Sequence, residues 1–320
     1  MAPKTVLITG GAGFLGSHLC DLLVQKGDKV ICLDNLLTGK KENVSHLFGQ
    51  AGFAFIKHDI IKPLKIKGPI DYVLHFASPA SPKDYEQYPL ETLKAGSLGT
   101  LNALNIAREK NAVLVMASTS EVYGDPLISP QKESYYGNVN PIGPRSCYDE
   151  AKRFSEALIS GFQRTYGLDC RIVRIFNTYG PRMRLNDGRV VTNFIRQAMN
   201  GEALTLYGNG RQTRSFCYVS DLVRGIYSLM TVKKTKLSGR LVINLGNAHE
   251  FRIIDLARGV ARALKSDGQF KYLPLPQDDP KQRRPDIKLA RQILRWQPRV
   301  ELQAGLIKTI NWFAAAQANR

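Results

Sequence analysis

Tyr148 is followed four residues later by Lys152, and it is the only one of the chain's thirteen tyrosines with a lysine at that spacing. On a helix this places both side chains on one face, one turn apart. A phenol ionises near pH 10 and is a weak base at neutral pH; a neighbouring ammonium favours the phenolate. About one helix upstream, Thr119, Ser120 and Glu121 follow an apolar run that reads as a buried strand. A phenolate beside hydroxyls and a carboxylate suits hydride chemistry at one carbon and acid–base chemistry at its neighbour. Taken alone, the Tyr–Lys pair fits a chance pairing on an exposed helix equally well. The Ser/Thr run likewise fits a strand end that satisfies its own backbone.

The N-terminus decides between these readings. Thr5-Val6-Leu7-Ile8 reads as a strand and runs into Thr9-Gly10-Gly11-Ala12-Gly13-Phe14-Leu15-Gly16, after which Phe14 to Lys26 carries Leu15, Leu19, Leu22 and Leu23 at helical spacing. Glycines in this pattern make a tight turn, let the backbone approach a pyrophosphate, and leave helix N–H groups free for the anion. The next strand, Lys29 to Leu33, ends at Asp34, eighteen residues past Gly16. A carboxylate there accepts from the adenosine ribose and repels a 2′-phosphate, which favours NAD over NADP. Lys40 and Lys41 soften that preference. A positively charged nicotinamide ring above Tyr148 would further favour its phenolate.

These residues need a scaffold, and the chain supplies alternating units. Further strand candidates are 54–56, Tyr72 to His75, 113–117, Cys170 to Ile175 and 241–245, with helical segments 90–110, 149–166 and 218–230. Strands alternating with helices imply an α/β fold, a Rossmann-like doubly wound parallel sheet with its ligand at the carboxyl ends of the strands. Asp59, just past the third strand, is then placed to meet the adenine amino group, and His75-Phe76-Ala77-Ser78 lies near the cofactor's phosphates and ribose. Beyond Asn177 the pattern turns irregular and rich in Gly, Pro and Arg. The expected division is a nucleotide-binding domain at 1–177, with 217–247 returning to it, and a smaller α/β substrate lobe at 178–216 and 248–320.

Composition agrees. The 320 residues are enough for a large core, and 43% hydrophobic with 22% charged residues is ordinary for a globular protein. No stretch approaches a membrane span and the N-terminus lacks a signal-peptide pattern, so no membrane partner is expected. Cys20, Cys32, Cys147, Cys170 and Cys217 are odd in number and scattered, and read as reduced thiols of a cytoplasmic enzyme with no metal site. Cys147 adjoins Tyr148, but nothing nearby in sequence pairs with it as a base. The formal charge is +18, from 45 Lys and Arg against 27 Asp and Glu. The basic residues are dispersed without a recognition motif, so nucleic acid is not expected as a partner. Arg182, Arg184, Arg189, Arg211 and Arg214 could instead serve a diphosphate-bearing substrate.

The Gly10–Gly16 loop with Tyr148 and Lys152 resembles the extended short-chain dehydrogenase/reductase family, in the NAD-dependent epimerase/dehydratase branch that modifies nucleotide sugars. Within it, the run Ala117 to Pro126 resembles the UDP-glucuronate decarboxylases, which form UDP-xylose. Similar stretches are Asn140 to Pro144, Cys147 to Glu150, Arg174 to Thr178, Gly180 to Met183, Asn186 to Val191, Gln212 to Arg214, Tyr218 to Val223, Gln277 to Pro280, Arg283, and Pro285 to Ile287. Ser120 is the discriminator: 4,6-dehydratases of the family carry Asp there, and 4-epimerases generally lack Glu121.

The resemblance implies C4 oxidation by NAD with Tyr148 as base, Lys152 holding it as phenolate and Thr119 on O4. CO2 is then lost from a 4-keto acid, C5 is protonated by Glu121 or a water it orients near Arg283, and C4 is reduced again. It implies cofactor contacts at Gly10, Gly13, Phe14, Leu15 and Gly16, at Asp34, Asn35 and Thr38, and at Asp59, Ile60, Phe76, Ser78 and Thr178, besides Tyr148 and Lys152. Lys94 and Arg145 are expected at the carboxylate or sugar end, Arg189 and Arg214 at the diphosphate and Tyr207 near the nucleotide, with Asn177 also expected to bind substrate. A homodimer through the 90–110 and 149–166 helices is also implied. The alternatives are a 4,6-dehydratase, a 4-epimerase, a decarboxylase that releases the 4-keto pentose, or an NAD-sensing protein without catalysis. Three positions depart from the family pattern: Ala95-Gly96 after Lys94, Leu36-Leu37 after Asp34-Asn35, and Arg184.

Overall fold

The computed structural model describes residues 2–266, 268–275 and 282–318, so the Gln277 to Pro280 stretch lies outside the described residues. Seven of the described strands build one parallel sheet: β1 (Thr5–Thr9), β2 (Lys29–Asp34), β3 (Phe53–Lys57), β4 (Tyr72–His75), β5 (Val113–Thr119), β6 (Cys170–Ile175) and β7 (Val242–Leu245), in the order β7-β6-β5-β4-β1-β2-β3. Strands buried on both faces read as near-continuous apolar runs, as in Val6-Leu7-Ile8, all fully buried. The strand order reverses between β1 and β4, which opens a crevice at their carboxyl ends. This is the doubly wound α/β architecture expected.

The helices that matter for the site are α1 (Phe14–Gln25), α2 (Thr100–Glu109), α3 (Ser146–Tyr166), α4 (Val190–Met199), α5 (Val219–Thr231), α6 (Ile253–Leu264) and α7 (Leu302–Ala318). The expected single helix at 90–110 is broken: Pro89–Lys94 passes through a π turn at Ala95–Gly99 before α2 begins. Strand β5 runs two residues further than expected and ends on Thr119, after which Ser120–Tyr123 form one 3-10 turn.

After β6 the chain forms small sheets. Thr213–Ser215 pairs with Glu250–Arg252 and with Gln282–Arg283, and Leu204–Tyr207 pairs with Phe270–Leu273. The first of these sets Arg283 in register with Arg214. One apolar cluster runs without a break from Val6, Ile8 and Leu19 to Leu204, Leu256 and Leu306, so the small sheets pack onto the large one through a shared core. Among the described residues no helix is long and apolar enough to cross a membrane.

Candidate active site

The carboxyl ends of β1, β2, β4 and β5 open into a cavity of about 940 Å³. That is near the upper end of the roughly 300–1,000 Å³ typical of small-molecule sites and suits two nucleotide ligands. Its floor is the glycine turn. A β-carbon on Gly16 would lie 2.1 Å from the Gly10 carbonyl oxygen, so only glycine lets α1 start this close to β1. The first turn of α1 has no side-chain cap at Gly13 and holds no acidic residue, which leaves its N–H groups for an anion. Asp34 is buried at the end of β2, where one carboxylate oxygen accepts from Ala12 N–H (3.0 Å) and the other from Leu36 N–H (2.8 Å). Asp34 also lines the cavity, at the strand end where an adenosine ribose needs a carboxylate. These residues fit a dinucleotide. Asn35, Thr38, Asp59, Ile60, Phe76 and Ser78 also line this end, as do Phe14 and Leu15.

At the other end, Tyr148 and Lys152 stand one turn apart on α3, both buried. The lysine does not reach the phenol: its Nζ donates to Ala117 O at 2.9 Å and sits 5.8 Å from the centre of the Tyr148 ring. Burial pulls Lys152 down to about 8. Burial likewise pushes Tyr148 up to about 12, with the neighbouring Thr119 hydroxyl acting against it. Burial thus pushes both Lys152 and the Tyr148 phenol toward their neutral forms. Removing charge from water opposes the phenolate, and the Lys152 ammonium is already bonded to Ala117 O.

Glu121 sits in the 3-10 turn between two arginines. Arg283, 1% exposed, donates from Nη1 at 3.1 Å and from Nη2 at 3.3 Å, with Nη2 also on Gly124 O at 2.9 Å. Arg145 donates to the same carboxylate from just before α3. Burial would raise the Glu121 carboxyl, but Arg283, Arg145 and Arg214 outweigh it and hold it below the usual carboxylate range. Arg283 is locked by its strand pairing and by the crossing of Gln131 N–H to Arg284 O and Arg284 N–H to the Gln131 side chain. Cys147 donates to Tyr85 O and burial pushes its thiol up, as suits a packing residue.

Ser120, Asn177, Thr178, Arg189, Tyr207 and Arg214 line the same cavity. Lys94 does not: it ends the Pro89–Lys94 helix exposed to solvent, and Glu91 and Ala95 line the wall in its place. Arg211 is also outside, whereas Arg182 and Arg184 line the cavity already paired with Asp21 and Asp84.

Over residues 6–246 the chain matches the NAD dependent epimerase/dehydratase family. The chain belongs to that family. It is 50% identical over 310 residues to UDP-glucuronic acid decarboxylase 1 of Xenopus tropicalis, covering 97% of this chain and 72% of the relative. It is 50% identical over 302 residues to UDP-glucuronic acid decarboxylase 6 of Arabidopsis thaliana, covering 94% and 86%. Its fold matches UDP-glucuronic acid 4-epimerase of Bacillus cereus, solved with NAD and a fluorinated UDP-sugar, at TM-score 0.87 and 26% identity over 98% of this chain and all of that one.

Two of this chain's departures from the family pattern acquire physical reasons. A β-carbon on Gly96 would lie 2.7 Å from both the Ala151 side chain and its carbonyl, so glycine lets the π turn press against α3. Arg184 answers Asp84, an acid that is itself nearly buried. Leu36 takes a left-handed φ of 65° while Leu37 lines the adenine end, and nothing in the structure explains why leucine serves there. Sequence reasoning missed Tyr85, whose ring stacks on Tyr148 at 5.2 Å and 12°. Its signal was the helix start Ser81-Pro82, where the Ser81 hydroxyl caps Asp84 N–H. Asp149 was missed as well.

Proposed function

We propose that this chain is a UDP-glucuronate decarboxylase that uses NAD and yields UDP-xylose through a 4-keto intermediate. The observation that carries the reading is Glu121 clamped by Arg145 and Arg283 in the same cavity as Thr119 and Tyr148. A 4,6-dehydratase would need an acid where Ser120 stands, and a 4-epimerase needs no acid–base carboxylate at C5. The relatives named UDP-glucuronic acid decarboxylase support the same substrate.

In this reading Tyr148 takes the O4 proton and Thr119 hydrogen-bonds O4 as it becomes a ketone. Lys152, bonded to Ala117 O, keeps a positive charge behind the phenol. When bound, NAD supplies the hydride acceptor and donor at C4, and its cationic ring supplies the charge that lowers the phenol's pKa. The C4 ketone makes C6 the carboxylate of a β-keto acid, and CO2 leaves as its electrons move into a C4 enolate stabilised by Tyr148 and Thr119. Glu121, held ionised, orients water for C5 and is not itself the acid. Arg189 and Arg214 serve the diphosphate, Asn177 and Arg145 the sugar end, and Tyr207 the nucleotide.

The reading extends to the rest of the molecule. Residues 1–177 with 217–247 act as the NAD-binding domain and 178–216 with 248–320 as the nucleotide-sugar lobe. Two copies pair through the 89–109 run and α3, where Leu90, Leu93, Leu98 and Phe154 are exposed. The five unpaired cysteines fit a cytoplasmic setting.

The test is incubation of the purified protein with UDP-glucuronate and NAD, following CO2, the sugar nucleotide and NADH absorbance. CO2 with UDP-xylose and no lasting NADH is the expected result. CO2 with accumulating NADH would mean that the UDP-4-keto pentose is released, and no CO2 would overturn the substrate assignment.

A further inference from the structure

The proposed reaction consumes a proton. The C5–C6 bond breaks, its electron pair passes into the enolate, CO2 departs, and C5 takes H⁺, so every turnover draws one proton from solvent into a buried site. Glu121 is a poor source, because its three arginines keep it ionised. Those arginines are poor sources too, since a guanidinium does not give up its proton near neutral pH. The carboxyl beside this cluster is Asp149, next to Tyr148 in the first turn of α3. It is 6% exposed, and among the described residues no donor reaches its buried Oδ1. A buried carboxylate oxygen without a donor is costly when ionised, whereas the neutral acid avoids most of that cost.

We propose that Asp149 is the acid that resupplies the proton delivered to C5. The inference rests on the decarboxylase reading above. Asp149 is not among the residues lining the cavity, so it acts through water at Glu121. Its O–H bond breaks as the proton passes to that water, the water gives a proton to C5, and Asp149 stays a carboxylate until solvent reprotonates it. No oxidant or reductant enters this step. The groups facing Asp149 are Glu121 from the 3-10 turn, Arg145 ahead of α3, Arg283 from the Gln282–Arg283 strand, Tyr85 from Pro82–Gln87, and Cys147, Tyr148 and Glu150 on its own helix. Burial is the strongest influence and the Glu121 charge the next, Arg145 and Arg283 oppose both, and the carboxyl is pushed up to about 7. An acid poised there can both donate and be recharged near neutral pH.

The experiment measures kcat for CO2 and UDP-xylose formation by wild type, Asp149→Asn and Asp149→Glu across the pH range around neutrality, with thermal unfolding at the same pH values. Wild-type kcat falls as pH rises through about 7, because the donor must be protonated. Asp149→Asn loses that limb and about 10²-fold or more in kcat, at unchanged KM. Asp149→Glu keeps the limb, displaced in pH. Because folding penalises the ionised form, wild type pays nothing below about pH 4 and the full cost above about pH 7. Asp149→Asn therefore melts higher than wild type at pH 8 and equally at pH 4. A wild-type limb and rate in Asp149→Asn, or a lower melting temperature at pH 8 as a purely helix-capping carboxylate requires, would overturn the proposal. Absence of CO2 from wild type would instead remove the decarboxylase reading and this inference with it.

Discussion

Tyr148 is a phenol whose surroundings oppose its own ionisation. Burial pushes it up to about 12, and the Lys152 ammonium is committed to Ala117 O. Tyr148→Phe removes the proton acceptor but keeps the ring that stacks on Tyr85, so kcat should fall by about 10²–10⁴-fold with melting temperature and NAD affinity near wild type. Steady-state rates with an NADH fluorescence titration check this, and retained turnover would remove Tyr148 as the base. Glu121→Gln deprives the almost fully buried Arg283 of its counter-charge and should cost about 3 kcal/mol besides slowing the C5 step. The sign follows from the depressed Glu121 pKa: the wild-type advantage is present above the ordinary carboxyl value of 4.5 and fades as pH falls through the lower folded one, so unfolding of the two proteins should converge in acid. At this scale spacing and residue type pointed to Tyr148, Lys152 and Glu121, and the family resemblance to Arg283. Their protonation states were not legible, because desolvation depends on what folds over them, and Arg283 arrives from 162 residues away.

Among the elements, the π turn at Ala95–Gly99 shows what periodicity conceals. The apolar spacing over 90–110 continues on both sides of it, and one extra residue in a turn leaves no mark in composition. The turn exists because Gly96 must face α3: its carbonyl accepts from Ser155, and its missing β-carbon leaves room for Ala151. Gly96→Ala forces these elements apart. Overpacking of this kind typically costs about 1–3 kcal/mol. Since α3 carries Tyr148 and Lys152, kcat should fall together with melting temperature, whereas Gly161→Ala on the same helix, with open space at its β-carbon, should leave kcat unchanged. Equal effects of the two substitutions would show that the close approach does not position the catalytic pair. The sheet strands were legible to within two residues because β-branched and apolar runs bury both faces, while the short pairings at 213–215 and 282–283 were not, being set by tertiary contact.

For the whole molecule, the exposed apolar residues and the excess charge act at different ranges. A charge of +18 attracts a polyanionic sugar nucleotide from a distance, so kcat/KM should fall as salt rises while kcat holds. Leu90, Leu93, Leu98 and Phe154 act only on contact, and they lie on two segments that already pack together through Gly96 and Ala151. An apolar patch on paired helices is covered most simply by a second copy related by a two-fold axis, where each patch meets itself. Phe154→Glu together with Leu93→Asp would set like charges against each other across such an interface. In sedimentation velocity at micromolar concentration wild type should run as a dimer of the 35.7 kDa chain, and the double variant as a monomer with intact secondary structure. A wild-type monomer, or a variant dimer of unchanged affinity, would place the contact elsewhere. Because α3 carries both the patch and the Tyr148–Lys152 pair, the variant should also lose activity in proportion to dissociation, and raising protein concentration should restore it.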